Sequence, residues 1–364
     1  MALTIVYDHQ IFNIQKYGGI SRYFCEIAAR LSTRPGNKVE IIAPFYVNAY
    51  FAEGCGLKPF GIKVPFTSRL VKEVNKYLPR LLLKGRRDVD VFHETYYGPI
   101  DNCPPSAKRV VTVYDMIHEK FAESFPVGDK TRQYKALAVK RADHVICISQ
   151  STKKDLMALL DVPEEKISVV HLGYSLLSGQ AASLAPPPER PYLLYVGNRD
   201  GHKNFVGLLH AYALSARLRK NFSIVCFGGG GFREQERATM LSLKIPEDVV
   251  QWSGSDDVLA NLYASAAAFV YPSLYEGFGI PPLEAMSFGC PVVCSNTSSM
   301  PEVVGEAAES FDPGNVEEMS SAIEHVLFSP ERRETLVKLG LERLSRFSWE
   351  KCALDTLEVY EKIV

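Results

Sequence analysis

One stretch in the second half of the chain predicts a strand, a glycine loop and a helix in succession. It reads Ala267-Ala268-Phe269-Val270-Tyr271-Pro272-Ser273-Leu274-Tyr275-Glu276-Gly277-Phe278-Gly279-Ile280-Pro281-Pro282-Leu283-Glu284. The apolar run that ends at Tyr271 predicts a buried strand, and the Pro281-Pro282 step predicts a helix start, where proline lacks no hydrogen bond. A strand, a glycine loop and a helix in this order are typical of a parallel α/β sheet.

The same stretch places polar groups where a ligand could reach them. Glu276 falls in the glycine loop at the carboxyl end of the predicted strand, and Glu284 falls in the first turns of the helix. The backbone N–H groups of Phe278, Gly279 and Ile280 would point into the crevice, and a helix N-terminus favours anions. Amides for phosphate and carboxylates for hydroxyls together predict a site for a nucleotide sugar.

Similar units recur along the whole chain. Short apolar runs alternate with helical patterns, which predicts parallel α/β architecture. The runs fall at 3–8, 39–44, 89–94, 109–115, 144–149 and 167–173 in the first half, and at 192–197, 222–228, 249–254, 267–273 and 291–295 in the second. Small residues and Pro186-Pro187-Pro188 predict a linker over 179–190. We therefore expect an N-terminal domain over 1–178 and a C-terminal domain over 191–347.

The stretch that contains both glutamates resembles the retaining glycosyltransferases of family 4. The resemblance is carried by two Glu with seven residues between them, by Gly277-Phe278-Gly279, and by the downstream run Gly289-Cys290-Pro291-Val292-Val293. It implies the GT-B fold, in which two doubly wound Rossmann-like domains face a central cleft. It also implies that the final helix, over 348–364, crosses back to the N-terminal domain.

The resemblance implies roles for two loops, one with paired glycines and one with two cations. Gly18 and Gly19 follow the first predicted strand, and paired glycines at a helix start let a ligand approach the backbone. The family places such a pair near the donor phosphate and the acceptor. Arg199 and Lys203 follow the first strand of the second domain, and the resemblance implies that they stabilise the leaving diphosphate. Gly254, after the third strand there, would contact the base through its backbone.

His118 is a further catalytic candidate in the first half. It follows the predicted strand 109–115, close to Asp115, at an end that should face the cleft. Its imidazole could hydrogen-bond the donor sugar or the acceptor hydroxyl. Family members often carry a histidine directly before the aspartate, where this chain has Tyr114. A structural role for His118 is the alternative.

The overall composition excludes several classes of protein. The net charge of −1 argues against a nucleic-acid-binding protein. The sequence shows neither an apolar run of about 20 residues nor the basic and apolar pattern of a signal peptide. The eight cysteines are scattered, as in reduced cytoplasmic proteins. We therefore expect a cytoplasmic enzyme.

No metal and no resident cofactor are expected, and the nucleoside-diphosphate sugar would be a co-substrate. Asp88-Val89-Asp90 matches the Asp-x-Asp pattern of metal-dependent glycosyltransferases, but it opens a predicted buried strand. Arg199 and Lys203 could neutralise the diphosphate instead of a divalent ion.

A basic segment over 58–87 is a candidate for peripheral contact with the inner face of the membrane. It contains nine Lys or Arg and one acidic residue, Glu73. Leu70, Val74, Tyr77, Leu78 and Leu81 fall on one helical face. A basic amphipathic helix can bind an anionic membrane. Binding of an anionic acceptor and a solvated helix with an ordinary core stripe are the alternatives.

Taken with the resemblance, these features predict a metal-independent, retaining hexosyltransferase. It would move a mannose-type or glucose-type sugar from a UDP- or GDP-sugar to a glycan or lipid-linked glycan hydroxyl in polysaccharide biosynthesis. Glu276, Lys203, Arg199 and His118 would be catalytic. The donor would contact Glu284, Phe278, Gly279, Ile280, Gly18, Gly19 and Gly254. A nucleotide-sugar epimerase and a non-catalytic nucleotide-sugar-binding subunit are the alternatives.

Overall fold

The computed structural model describes residues 2–52, 55–175, 188 and 190–364. The chain divides into two compact units, one formed by Met1–Gly173 with Ser348–Val364 and the other by Tyr174–Phe347. The predicted linker 179–190 lies outside the described residues except for 188 and 190.

The first unit contains a seven-stranded parallel sheet. Its strands are β1 (Thr4–Tyr7), β2 (Lys38–Tyr46), β3 (Phe60–Lys63), β4 (Val91–Glu94), β5 (Lys108–Val113), β6 (His144–Cys147) and β7 (Ile167–Val169). Its helices up to this point are α1 (Gln10–Ile14), α2 (Gly19–Ser32), α3 (Arg69–Leu83), α4 (Ile117–Lys120), α5 (Thr131–Arg141) and α6 (Gln150–Leu160). The strand order is β3-β2-β1-β4-β5-β6-β7.

The second unit contains a six-stranded parallel sheet. Its strands are β8 (Tyr192–Val196), β9 (Ser223–Phe227), β10 (Val249–Trp252), β11 (Ala268–Tyr271), β12 (Val292–Ser295) and β13 (Ala308–Phe311). Its helices are α7 (Phe205–Leu214), α8 (Ala216–Asn221), α9 (Glu234–Ser242), α10 (Asp256–Ser265), α11 (Ile280–Ser287), α12 (Met300–Val304), α13 (Val316–Phe328) and α14 (Pro330–Leu344). The strand order is β10-β9-β8-β11-β12-β13.

These strand orders confirm the predicted doubly wound α/β fold. Within each sheet the chain first extends to one side of the opening strand, then returns and extends to the other side. Helices cover the faces of both sheets, so the central strands are buried. The central strand β11 is buried at all four positions, which explains its apolar run.

The last helix, α15 (Trp349–Ile363), packs against α2 in the first unit. Ser348 caps its first turn by accepting a hydrogen bond from the Lys351 N–H, at 3.0 Å. At its other end the Tyr360 hydroxyl lies 2.5 Å from Nδ1 of His93 and 3.2 Å from the Tyr7 hydroxyl. A buried polar cluster therefore joins α15 to β1 and β4.

No helix in the described part of the chain is both long enough and apolar enough to cross a bilayer.

Candidate active site at the carboxyl end of the second sheet

The second sheet changes direction between β8 and β11, which lie side by side. In doubly wound sheets, ligands bind outside the carboxyl ends of the strands at such a point. The loops that leave β8 and β11 both begin there. The backbone N–H of Leu274 donates to the carbonyl of His202 at 2.8 Å and ties the two loops together. The topology therefore selects these two loops as the candidate site.

Lys203 and Glu276 meet across the two loops. Lys203 Nζ lies 2.6 Å from Glu276 Oε1, and the two side chains are 22% and 9% exposed. The ammonium also lies 5.7 Å from the centroid of the Tyr271 ring. One of its three N–H bonds suffices for the carboxylate, so two remain for a ligand. The Lys203 ammonium thus stays partly exposed beside a largely buried carboxylate.

Two serines hold the backbone around Glu276. The N–H of Glu276 donates to Ser298 Oγ at 2.9 Å. The buried Ser299 hydroxyl is 3.0 Å from the carbonyl oxygen of Glu276 and 2.7 Å from that of Phe278, so both carbonyls are acceptors for it. Sequence reasoning missed both serines, because the contacts depend on a turn at Ser298 with a φ of 52°. These bonds fix the carboxylate that Lys203 contacts.

The glycine loop leads directly into α11, which begins at Ile280 as predicted. Gly279 has a φ of 110°, and a Cβ there would lie 2.3 Å from Met300 Cε. The N–H groups of Gly279 and Ile280 have no acceptor among the described residues. The Phe278 side chain is buried against Phe347, so a contact of this residue with a ligand could involve its backbone but not its ring.

Glu284 lies half-buried on α11, and the Tyr263 hydroxyl donates to its Oε2 at 3.3 Å. Burial raises the pKa of Tyr263 well above its usual value, so the hydroxyl keeps its proton and remains a donor. Tyr263 is itself fixed by stacking on Phe288. These contacts fix the Glu284 carboxylate on α11, the helix that follows the Glu276 loop.

Arg199 lies one loop turn from Lys203 but faces the interior of the unit. Its side chain is 1% exposed, and Nε donates to Glu236 Oε1 at 3.1 Å. Its remaining nitrogens donate to the carbonyls of Gly228, Gly230 and Gly231 at 2.9–3.0 Å. These bonds hold the glycine turn after β9. A contact between Arg199 and a diphosphate stays a prediction.

Gly254 lies in the exposed loop after β10. A Cβ at this position would come within 2.8 Å of Val258 Cγ2, so the glycine permits close packing of the loop on α10. The contact of Gly254 with a nucleotide base stays a prediction.

Gly18 and Gly19 lie in the first unit, at the start of α2. A Cβ on Gly18 would lie 2.3 Å from Gln15 Oε1, and this oxygen accepts the Ser21 N–H at 3.0 Å. Gly18 therefore makes room for the side chain that caps α2. Nothing lies within 4 Å of the Cβ position of Gly19. Of these two glycines, Gly19 is the one with open space beside its Cα.

His118 also lies in the first unit, in the short helix α4 after β5. Its ring stacks on Phe125 with centroids 3.9 Å apart. Burial, together with the nearby Lys135 ammonium, lowers its pKa below 6.5, so it is neutral at neutral pH. Nδ1 of His118 is buried without a hydrogen-bond partner in the described part of the chain.

Lys135 is a buried cation that sequence reasoning missed. Its side chain is 1% exposed, and Nζ lies 2.7 Å from Glu119 Oε2 and 2.8 Å from the carbonyl oxygen of Asp115. It thus fixes the loop that carries His118. The helix α5 has little amphipathic pattern, so no periodic signal singled out this position.

Asp88 and Asp90 lie at the opposite, amino end of the first sheet. Asp88 pairs with Arg86, with Oδ2 2.6 Å from Nη2, and Asp90 Oδ2 accepts the N–H of Thr4 at 2.7 Å. Both carboxylates therefore have structural partners.

Comparison with known proteins matches both halves of the chain to glycosyltransferase families. The model described as "Glycosyl transferases group 1" matches residues 180–343, and "Glycosyltransferase Family 4" matches residues 17–176. O-antigen chain mannosyltransferase B of Escherichia coli is 32% identical over 280 residues, covering 73% of this chain and 74% of that protein. The serotype-specific mannosyltransferase WbdA of E. coli is 28% identical over 283 residues, covering 73% of this chain but only 34% of WbdA.

Solved structures show the same fold. Anabaena Alr3699/HepE, crystallised with UDP and glucose, superposes with a TM-score of 0.73 at 16% identity, covering 99% of this chain and 100% of that one.

Proposed function

Because the chain belongs to the family 4, group 1 glycosyltransferases, we propose that it transfers a hexosyl group from a nucleoside-diphosphate sugar with retention of configuration. The acceptor is a hydroxyl of a glycan or lipid-linked glycan in polysaccharide assembly. Two relatives bear the names of mannosyltransferases, one of them an O-antigen chain enzyme, which supports mannose as the sugar.

The contact between Lys203 and Glu276 is the observation that carries this proposal. A single ammonium group at the switch point can bind the diphosphate with its two remaining N–H bonds while Glu276 orients it. The N-terminus of α11 adds the N–H groups of Gly279 and Ile280, which can donate hydrogen bonds to the anionic diphosphate. Glu276 and Glu284 would accept hydrogen bonds from hydroxyls of the sugar and the ribose.

In the proposed reaction, the acceptor hydroxyl attacks the anomeric carbon from the face that the diphosphate leaves. The bond between the anomeric carbon and the phosphate oxygen breaks as the bond to the acceptor oxygen forms. The acceptor proton passes to the departing phosphate oxygen. Lys203 stabilises the negative charge that develops on this diphosphate, so the reaction needs no divalent ion.

The test is transfer from synthetic donors to a defined oligosaccharide acceptor, followed by proton NMR of the first product formed. Retention in the presence of EDTA supports the proposal, because EDTA removes the divalent ions that could otherwise neutralise the diphosphate. An inverted linkage would contradict the mechanism, and activity that returns only with Mn²⁺ would contradict metal independence. Release of an isomerised sugar without an acceptor would indicate an epimerase.

A further inference from the structure

The helix α3 buries a polar side chain against its own sheet and exposes large apolar side chains. The residues that it buries against β2 include Asn75, whose Oδ1 accepts the Phe45 N–H at 3.1 Å and whose Nδ2 donates to the Phe45 carbonyl at 2.7 Å. Leu70, Tyr77 and Leu81 point outward and are 73%, 57% and 68% exposed. The predicted apolar stripe therefore exists, but its most apolar part faces away from the core.

Cations flank this stripe. Arg69, Lys72, Arg80 and Lys84 lie on or directly after α3, and none has an acidic partner among the described residues. Lys76, by contrast, pairs with Glu73 at 2.5 Å. The segment 58–87 has nine basic residues and one acidic residue, so nine minus one gives a net charge of +8. In the whole chain, acidic and basic residues balance to −1.

More exposed apolar side chains lie on the edge strand β3, which pairs with β2, the strand against which α3 packs. The strand β3 is exposed at all four positions, with Phe60 and Ile62 at 60% and 65%, and Phe66 follows at 68%. Seven of the nineteen large hydrophobic residues that are exposed in the described chain fall between 60 and 82. Single exposed hydrophobic residues need no explanation, but such a concentration marks an interaction surface.

A cavity of about 1060 Å³ adjoins the carboxyl half of α3. Its lining includes Tyr77, Arg80, Leu81 and Lys84. Apolar and cationic groups thus alternate across a surface that is concave as well as exposed.

We propose that this surface binds an anionic lipid bilayer. We call it the α3 face and define it by Leu70, Tyr77 and Leu81 together with Arg69, Lys72, Arg80 and Lys84. The apolar side chains would enter the interface between headgroups and acyl chains, and the cations would lie at the level of the lipid phosphates. The proposal concerns where the protein binds and does not rest on the donor chemistry.

Charge selects the bilayer over other occupants. A second copy of the chain would bring two strongly positive faces together, which costs association energy. An acidic polysaccharide would match the charge but would leave three large apolar side chains in water. An anionic bilayer satisfies both the charge and the apolar area.

Co-sedimentation with vesicles tests the proposal, without any donor or acceptor present. We expect the protein to pellet with vesicles of phosphatidylcholine and phosphatidylglycerol but not with phosphatidylcholine alone, and to be released by high salt. The double variant Leu70→Asp/Leu81→Asp and the charge reversal Arg69→Glu/Lys72→Glu should each lower the partition coefficient by about tenfold or more.

Matched controls come from α9 in the second unit. Leu241 is 65% exposed and Arg237 is exposed, so Leu241→Asp and Arg237→Glu apply the same changes away from the α3 face. They should bind vesicles like the wild type, and circular dichroism should show that all variants are folded. In the variant Tyr77→Trp, anionic vesicles should shift the emission maximum of the introduced tryptophan to shorter wavelength.

Several outcomes would overturn the proposal. Wild-type protein that stays in the supernatant with both vesicle types would do so, as would variants of the α3 face that pellet as well as the wild type. Equal binding to neutral vesicles would contradict the role of the cations. Loss of a dimer in Leu70→Asp/Leu81→Asp, without loss of vesicle binding, would assign the surface to a second copy.

Discussion

Two cations from the same loop, Arg199 and Lys203, have different surroundings. Lys203 contacts Glu276 and stays partly exposed, whereas Arg199 is enclosed by Glu236 and the glycine turn after β9. The sequence pattern predicted that both would serve the diphosphate, because both follow β8. The spacing could not separate them, since the direction of the Arg199 side chain depends on carbonyls that lie 29–32 residues further along the chain, and that of Lys203 depends on Glu276.

Replacement of Lys203 by alanine should mainly affect transfer. Removing one group that stabilises developing charge typically lowers kcat by about 10²–10³-fold. We therefore expect a loss of this size in Lys203→Ala, measured with saturating donor. Lys220 is exposed on α8 in the same unit, so Lys220→Ala is the matched control and should retain wild-type kcat. Near-normal turnover in Lys203→Ala would remove this residue from the mechanism.

Replacement of Arg199 by alanine should mainly affect folding. It would leave the buried Glu236 carboxylate without its cation and four glycine carbonyls, at 228–231, without their donor. Breaking a buried ion pair from one side costs about 3–5 kcal/mol. We expect the free energy of unfolding, measured by urea denaturation, to fall by this amount. A stable Arg199→Ala protein with impaired transfer would instead support the predicted contact with the diphosphate.

At the scale of elements, apolar strands were predictable, whereas two of the four edge strands were not. All eleven predicted runs contain a strand, but β3 (Phe60–Lys63) and β13 (Ala308–Phe311) were missed. Both are four-residue strands at a sheet edge, where one neighbour is lacking and the sequence need not be apolar. The α3 stripe was predicted from its spacing, yet its outward orientation required knowledge of the hydrogen bonds that bury Asn75.

The start of α11 depends on Gly279. An alanine there must adopt a φ of 110° and place its Cβ 2.3 Å from Met300 Cε. We expect Gly279→Ala to lower the free energy of unfolding by about 1–3 kcal/mol. Met300 is fully buried, so Met300→Ala is itself destabilising. In that background, however, Gly279→Ala should cost less than in the wild type, and the remaining cost reflects the backbone strain.

Gly231→Ala is the control for Gly279→Ala. A Cβ at Gly231 would meet no atom within 4 Å, so the free energy of unfolding of Gly231→Ala should match that of the wild type. Urea denaturation of both variants measures the difference. Equal stability of Gly279→Ala and Gly231→Ala would show that the loop can relax.

The attachment of α15 should depend on pH through His93. Burial lowers the pKa of His93 to about 3, whereas the pKa of a histidine in the unfolded chain is about 6.5. The unfolded chain therefore binds one more proton between these values. The stability that neutral His93 contributes is complete above about pH 6.5 and is lost as the pH falls toward 3.

Comparison with His93→Gln isolates this effect. The variant keeps a polar side chain of similar reach to Tyr360 but does not titrate. The stability advantage of the wild type should shrink by about 1.4 kcal/mol per pH unit between about pH 6 and about pH 4 in urea titrations. An advantage that stays constant over this range would mean that His93 titrates normally in the folded protein.

At the scale of the whole molecule, two Rossmann-like units share the order of their first six strands and differ in the ligand-binding groups that their loops carry. The second unit combines Lys203, Glu276 and the start of α11 at its switch point, which suits an anionic donor. The first unit carries the α3 face, with most of the segment's net charge of +8 exposed. The overall charge of −1 conceals this asymmetry, which only the position of the charges along the chain reveals.

Nucleotide binding to the second unit tests the central claim most directly. We would measure thermal unfolding with GDP, UDP and dTDP in EDTA, for the wild type, Lys203→Ala and Lys220→Ala. We predict that one nucleotide at 100 times its Kd stabilises the wild type and Lys220→Ala by about 2.7 kcal/mol, and that the same concentration leaves Lys203→Ala almost unchanged. No response of the wild type to any of the three, or an equal response of Lys203→Ala, would contradict a donor site built on Lys203 and Glu276.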